Sequence, residues 1–316
     1  MRRSAAFLAA VAVWAFAAAQ EPQATRPPLS DLPPGPAGAK INYGYELLAN
    51  TARWIGPKGK AGSYARTRMS CANCHMDVGR LPFGNSWLDT HGLYPQYRGR
   101  EGKVQTLAER VNACLTHPMQ GKPLPEDGRE MQAILLYYRW LAKGRPSLDN
   151  DPDTRLPPLA YLDRAADPAA GKKVYELRCA VCHGTDGQGR LAVDKDSFIY
   201  PPLWGRESYM QGSSMSRLSV LARFIKGNMP FQTATPDKPI LSDAEAWDAA
   251  AFISSQPRPG WAGPQPFPDA AEKPFDYPIG PYSDKFPVEQ HLRGPFGPIL
   301  EYWKPRQAFL SNETGI

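Results

Sequence analysis

The chain has 316 residues, a length suited to about two domains, and 42% of them are hydrophobic, enough for a buried core in each. Lysine and arginine exceed aspartate and glutamate by six, but no basic tract with interleaved aromatics occurs, which argues against a nucleic-acid partner. Beyond residue 19 no apolar run approaches the roughly 20 residues of a membrane span, so no transmembrane helix is expected.

Residues 1–19 read as a secretory leader. Arg2 and Arg3 form its positive end, an apolar run from Ala5 to Phe16 follows, and Ala17-Ala18-Ala19 offers a small-residue cleavage site before Gln20. The expected destination is the periplasm. Residues 20–40, rich in proline, alanine and glycine, read as a flexible lead-in. A first domain is expected over residues 41–143, opening with a helix from Tyr43 to Ile55. A Gly/Lys loop then leads to Cys71-Ala72-Asn73-Cys74-His75. Thr106-Leu107-Ala108-Glu109 matches a capping box at the start of a helix running to Thr116. On it Leu107, Val111, Cys114 and Leu115 recur at i, i+4, i+7 and i+8, which points Cys114 into the core. A third helix, Arg129 to Lys143, turns Met131, Ile134, Leu135, Tyr138 and Leu141 inward and stops at Gly144 and Pro146.

Residues 144–165 hold prolines and acids and read as a linker to a second domain over residues 166–256. Asp167-Pro168 supplies a cap and a first-turn proline for a helix that runs into Cys179-Ala180-Val181-Cys182-His183. A helix from Ser216 to Lys226 ends at Gly227-Asn228-Met229-Pro230, and Ser242-Asp243-Ala244-Glu245 caps a last helix reaching Ser255. The order of helix, cysteine motif, loop and helices occurs in both halves, as an internal duplication of a small helical unit. Residues 257–316 are proline-rich without periodicity, yet Trp261, Phe275, Tyr282, Phe296, Tyr302 and Trp303 are too apolar for a solvated tail. They are expected to wrap over both domains.

Each Cys-x-x-Cys-His places two thiols to add across the vinyl groups of one haem, with the histidine as proximal iron ligand. The alternative is a disulfide or zinc pair with a coincidental histidine. The haem reading gives two covalently attached haem c, held by Cys71 and Cys74 and by Cys179 and Cys182, with His75 and His183 on the irons. The fold class is then all-α: two class I cytochrome c domains joined by a linker, with a mostly irregular C-terminal wrap. Met229, 46 residues after His183 and just past a helix, stands where a small class I cytochrome c offers its methionine; Lys226 is a rival on the same turn. In the first domain Cys114 stands 39 residues after His75, with His117 and Met119 as competing ligands. With four cysteines in thioethers, Cys114 has no disulfide partner within the chain, so it is coordinated, reactive or simply buried.

The stretch CANCHMDVGR, continued by GLYPQYRGREGKVQTLAERVNACLTHPMQGKPLP, resembles the dihaem thiosulfate dehydrogenases of the periplasm. The second motif, FIKGNMP and GPFGPIL agree more loosely. The resemblance implies histidine and cysteine ligands on the active haem, matching His75 and Cys114, and His183 with Met229 on the other. Where that family uses lysine it immediately precedes the methionine, and here Asn228 stands there. Two family arginines near the substrate match Arg100 and Arg110. After the cysteine the family pattern Cys-x-x-Arg-Ser-Met-Asn-Gly gives way to Cys114-Leu115-Thr116-His117-Pro118-Met119-Gln120-Gly121, which removes a hydroxyl. The implied reaction joins two thiosulfates into tetrathionate, or reverses it, with a small anionic sulfur substrate and a soluble cytochrome or terminal oxidase taking the electrons. The rival readings are a dihaem electron carrier with no substrate, which expects Met119 on the first iron, and an oxidase of another sulfur compound. The mass of the exported protein after denaturation is expected to exceed that of its chain by two haems; an excess of one haem or none removes the dihaem reading.

Overall fold

The computed structural model describes residues 27–143 and 156–304. The leader at 1–19, the start of the lead-in and most of the 144–165 linker lie outside the described residues.

Helix α1 spans Gly35–Ala49 and α2 spans Thr51–Ile55, with Asn50 (φ −121°, ψ 45°) as the break between them. The helix thus begins at Gly35, inside the segment expected to be a flexible lead-in. Pro36 explains the difference: in the first turn its missing N–H has no partner to lose and its fixed φ suits a helix, so a composition that resembles a loop is here a helix start. Helix α3 covers Leu107–Thr116, and its capping box closes both ways, Glu109 N–H to Thr106 Oγ1 at 3.1 Å and Thr106 N–H to Glu109 Oε2 at 2.8 Å. Helix α4 covers Arg129–Leu141.

In the second half α5 covers Pro168–Arg178, capped by Asp167 Oδ1 on the Ala169 N–H at 2.8 Å, and α6 covers Ala180–His183. Helix α7 spans Leu218–Asn228, two residues later at each end than the sequence suggests, because a 3-10 turn at Ser214–Ser216 takes the place of its first turn. Helix α8 spans Asp243–Ser254 behind the expected Ser242 box, and α9 spans Val288–Arg293. The strands are two small antiparallel ribbons. Strands β1 (Gln96–Arg98) and β2 (Lys103–Gln105) pair with Gln96 opposite Gln105, and β3 (Arg190–Leu191) pairs with β4 (Phe198–Tyr200). The all-α class holds.

The first and last helices of each half cross closely, α1 on α4 and α5 on α8. A Cβ on Gly44 would lie 2.1 Å from the Ala133 carbonyl oxygen, and one on Gly171 would lie 1.8 Å from that of Asp248. The crossing of α5 and α8 is also tied by Asp248, whose carboxylate accepts from Arg164 Nη1 and Nη2 at 2.8 Å each and from the Asp167 N–H at 2.7 Å.

The C-terminal segment runs over both halves. Its backbone takes the Gly205 N–H on Pro257 O at 2.7 Å, gives the Phe267 N–H to Arg100 O at 2.8 Å and takes the Ala166 N–H on Arg293 O at 2.8 Å. Asp276, fully buried, accepts from Arg217 Nε and the Ser219 N–H at 2.8 Å each, at the start of α7. Residues 297–304 are helical. Among the described residues no helix is long and apolar enough to cross a membrane. Because backbone, not a movable side chain, faces Gly171, Gly171→Ala is expected to cost about 1–3 kcal/mol, read as a lower midpoint in denaturant unfolding; an unchanged midpoint would mean that the crossing can open without loss.

Candidate active site

The first cysteine motif sits in a 3-10 turn, Cys71–Asn73, closed by Asn73 Oδ1 on the Ser70 N–H at 2.7 Å. Helix α2 fixes its position: Thr51 Oγ1 accepts the Cys71 N–H at 3.0 Å and lies 3.3 Å from Cys71 Sγ. His75 follows, its Nδ1 at 2.6 Å from the Asn85 carbonyl and its ring 4.3 Å from that of Trp87. A neutral imidazole donating Nδ1–H to a carbonyl keeps the Nε2 lone pair for a metal. Burial pushes the His75 pKa down to about 4, so the ring is neutral at physiological pH, as a ligand must be.

Cys71, Cys74 and His75 line a cavity of about 480 Å³ together with Cys114 and Met119, between apolar walls that include Leu47, Leu48, Val111 and Ile134. Two thiols, a free imidazole nitrogen, further sulfur donors and apolar walls are the chemistry a covalently bound haem requires, so the residues fit that group. Cys114 is half-buried on this wall, not in the packed core as the α3 periodicity suggests. It lies at the edge of the apolar face, where the helix borders the cavity instead of a neighbouring element.

Arg110, one turn before Cys114 on α3, donates Nη1–H to its Sγ at 3.2 Å, and this sulfur is the main influence raising the guanidinium pKa above its ordinary value. Arg100 comes from the turn between β1 and β2 and lines the same cavity. Burial lowers its pKa, and it packs over the rings of Trp261 at 5.4 Å and Tyr277 at 5.9 Å. Met119 is buried with its sulfur 3.9 Å from the Thr67 hydroxyl.

The second motif repeats the pattern. Cys179 caps α6, Cys182 lies within it, and His183 Nδ1 is 2.8 Å from the Pro201 carbonyl, again leaving Nε2 free. Met229 follows α7 in extended conformation (φ −124°, ψ 139°) and packs half-buried against the core. Lys226, its rival, is held elsewhere: its Nζ donates to Leu241 O at 2.7 Å and pairs with Asp243 Oδ1 at 2.6 Å.

Residues 58–146 match the family described as SoxA/TsdA, cytochrome c domain, and residues 168–257 match the cytochrome c family. The chain is 35% identical to the thiosulfate dehydrogenase of Stutzerimonas stutzeri over 74% of this chain and 72% of that one. It is 34% identical to the thiosulfate dehydrogenase of Allochromatium vinosum over 81% of this chain and 92% of that one. The chain belongs to the thiosulfate dehydrogenase family. A solved structure, the as-isolated thiosulfate dehydrogenase TsdBA of Marichromatium purpuratum, superposes with a TM-score of 0.68 at 32% identity, covering 75% of this chain and 50% of that one. The protein is therefore a dihaem c-type cytochrome and a thiosulfate dehydrogenase, an oxidoreductase of thiosulfate and tetrathionate chemistry. The carrier without a substrate is set aside.

In this enzyme the structure brings Cys71, Cys74, His75, Arg100, Arg110 and Cys114 to one cavity and places Cys179, Cys182, His183 and Met229 in the other half. Trp261 and Tyr277, which pack on Arg100, were outside the sequence-level site because more than 140 residues separate them from Cys114 and no local pattern marks them. Their only signal was aromatic content in an otherwise proline-rich tail.

Proposed function

We propose that the first-domain cavity is where two thiosulfates are joined, 2 S₂O₃²⁻ → S₄O₆²⁻ + 2 e⁻, or the reverse, with Cys114, Arg100 and Arg110 as the acting side chains. The observation that carries this reading is the Arg110–Cys114 contact at 3.2 Å on the wall shared with Cys71, Cys74 and His75. His75 and Cys114 would hold the first iron, and His183 and Met229 the second. Cys114 is favoured over Met119, whose sulfur is turned to Thr67. Met229 is favoured over Lys226, whose ammonium is already committed. Bound haem supplies one-electron acceptance, which no side chain here offers.

Joining two dianions is an electrostatic problem first. Two unit charges 4 Å apart repel by about 4 kcal/mol at an effective dielectric of 20. Arg100 and Arg110 offset this and orient the anions. Cys114 then divides the bond-making into two steps. Its thiolate and the sulfane sulfur of one thiosulfate form an S–S bond with loss of two electrons. The second thiosulfate attacks that same sulfane sulfur, the bond to Cys114 breaks, and the electron pair returns to Cys114 as thiolate while tetrathionate leaves. Arg110 steadies the sulfur whenever it carries charge. The expected domains 41–143 and 166–256, the linker and the extension would divide the labour, with substrate chemistry in the first and electron exit in the second. The setting is the periplasm, reached through the leader at 1–19, and the acceptor is a soluble cytochrome or terminal oxidase.

Cys114→Gly is expected to fold with both haems, since losing a small half-buried side chain costs about 1–3 kcal/mol. Its thiolate-type spectrum at one haem should vanish and thiosulfate-dependent electron transfer should fall about a hundredfold or more. Cys114→Met can restore a sulfur ligand without a reactive thiol; oxidation of thiosulfate at the parent rate by that variant would refute the covalent step, and unaltered spectra in both variants would refute ligation as well. Met229→Ala should keep its haem, lose methionine ligation and shift the potential of the second haem with thiosulfate binding little changed. An unaltered spectrum would assign that iron to a different donor.

A further inference from the structure

Among the described residues three cavity-lining side chains carry a buried polar atom without a hydrogen-bond partner, Arg100 Nη2, His117 Nδ1 and the Tyr209 hydroxyl, and the first two lie together as a pair. Leaving a buried donor unsatisfied costs about 1–3 kcal/mol, more for a charged group, so such a pair is retained where something else supplies the acceptor. The two side chains share one support. Trp261 of the C-terminal extension lies 5.4 Å from the Arg100 guanidinium and meets the His117 ring edge-on at 4.5 Å. Its own indole N–H is tied down by Pro264 O at 2.7 Å. Space for this packing comes from Gly212, where a Cβ would lie 2.6 Å from the Trp261 ring and 3.1 Å from Arg100 Nη2. The His117 pKa is pushed down to about 3 by burial first and by Arg100 and Arg110 next, so the ring is a neutral donor and not a third cation.

We propose that Arg100 and His117, held in place by Trp261, form an oxyanion cradle that takes the sulfonate end of thiosulfate and leaves the sulfane sulfur to Cys114 and Arg110. This rests on the reading of the cavity as the substrate site, and it adds His117 as a binding residue and Trp261 as a positioning residue. Arg110 is committed to the Cys114 sulfur, whereas Arg100 Nη2 and the His117 N–H, in the Nδ1 tautomer, have no protein acceptor. Both are shielded from water, which strengthens a hydrogen bond to an anion. The division suits a substrate with two unlike ends, a hard oxyanion and a soft sulfur.

The test is titration of the ferric holoenzyme with sulfate, an unreactive tetrahedral oxyanion, followed by calorimetry, alongside KM and kcat for thiosulfate. His117→Phe keeps the ring against Trp261 without the N–H, Trp261→Leu removes the support, and Gly212→Ala disturbs the packing without removing a donor. Each is expected to weaken sulfate binding and raise KM about tenfold, with kcat changed far less. Trp261→Phe should restore most of the affinity, and it carries the positioning arm if the leucine variant loses its haem. Sulfate affinity and KM at parental values in His117→Phe and Gly212→Ala would overturn the cradle. So would a shifted potential of the first haem with unchanged anion affinity, which would assign the two donors to a haem propionate. Arg110→Gln separates this inference from the one beneath it. If it raises KM while the cradle variants do not, only the cradle fails. If thiosulfate kinetics ignore Arg110 as well, the cavity is not the substrate site and both readings fall.

Discussion

Two helices can meet at backbone distance only where a side chain is missing, and Gly44 and Gly171 supply that gap once in each half of the molecule. The crossings of α1 with α4 and of α5 with α8 leave no room for one further carbon. Everything near the cysteine motifs is referred to these frames. In the first half the frame carries α2, and Thr51 on α2 receives the backbone of Cys71. In the second half α5 runs almost directly into the motif, so the crossing and the cysteines belong to one rigid stretch. A helix pair that could slide would move the thiols relative to the opposite wall, and thioether formation tolerates little such movement.

Within those frames the chain solves the same orientation problem twice. A histidine that is to serve as proximal ligand must present one nitrogen to a metal and dispose of the other, and each candidate does so on a main-chain carbonyl, Asn85 for His75 and Pro201 for His183. A carbonyl can only accept, so it fixes the tautomer as well as the ring angle. Around the first site the charges are less balanced. Four arginines, Arg98, Arg100, Arg110 and Arg217, line the cavity against two glutamates, Glu101 and Glu272, with Glu101 at 3.7 Å from Arg100 Nε. A protonated His117 would add a further positive charge, and burial, with Arg100 and Arg110 beside it, prevents that. A surplus of arginine around the Cys114 sulfur suits a site that receives an anion, whereas a carrier of electrons alone needs only a shielded iron.

The motifs and caps were legible because they are local. Two Cys-x-x-Cys-His runs, the Thr106 and Ser242 boxes and the Asp167-Pro168 start each act over a few residues, and the structure realises all of the caps. Sequence reading failed where composition misled or contacts were distant. A proline in the first turn of α1 looks the same on paper as a proline in a loop. The period of α3 gives the face of Cys114 but not what lies opposite, and a cavity wall differs from a packed core only in the presence of a neighbour. Trp261 and Tyr277 reach Arg100 through tertiary wrapping, and no periodicity in residues 257–316 encodes that meeting. The extension was recognisable as ordered from its aromatics, yet its contribution of walls to the site was not.

The halves are joined by contacts of unequal weight. Arg68 and Glu207 form a bidentate pair across the junction, each side chain about 30% exposed, and water screens it in part. Asn228 is 5% exposed and donates Nδ2–H to Phe83 O at 3.0 Å and to Phe224 O at 3.2 Å. Breaking it strands a buried amide, so it is the costlier contact to lose. Its position gives it meaning. Asn228 immediately precedes Met229, and Phe83 lies two residues before Asn85, whose carbonyl orients His75. Phe83 and Asn85 both hold left-handed backbone, at φ 61° and 60°, so the strap between them has little conformational slack. One short loop therefore sets the candidate proximal histidine of one half and grips the neighbour of the candidate methionine ligand of the other. In a reaction that yields two electrons and hands them on singly, the relative placement of the two sites matters as much as either site alone, and this buried amide helps to fix it, beside Gln120 Nε2 on Arg206 O at 3.0 Å and Ser208 O at 2.9 Å.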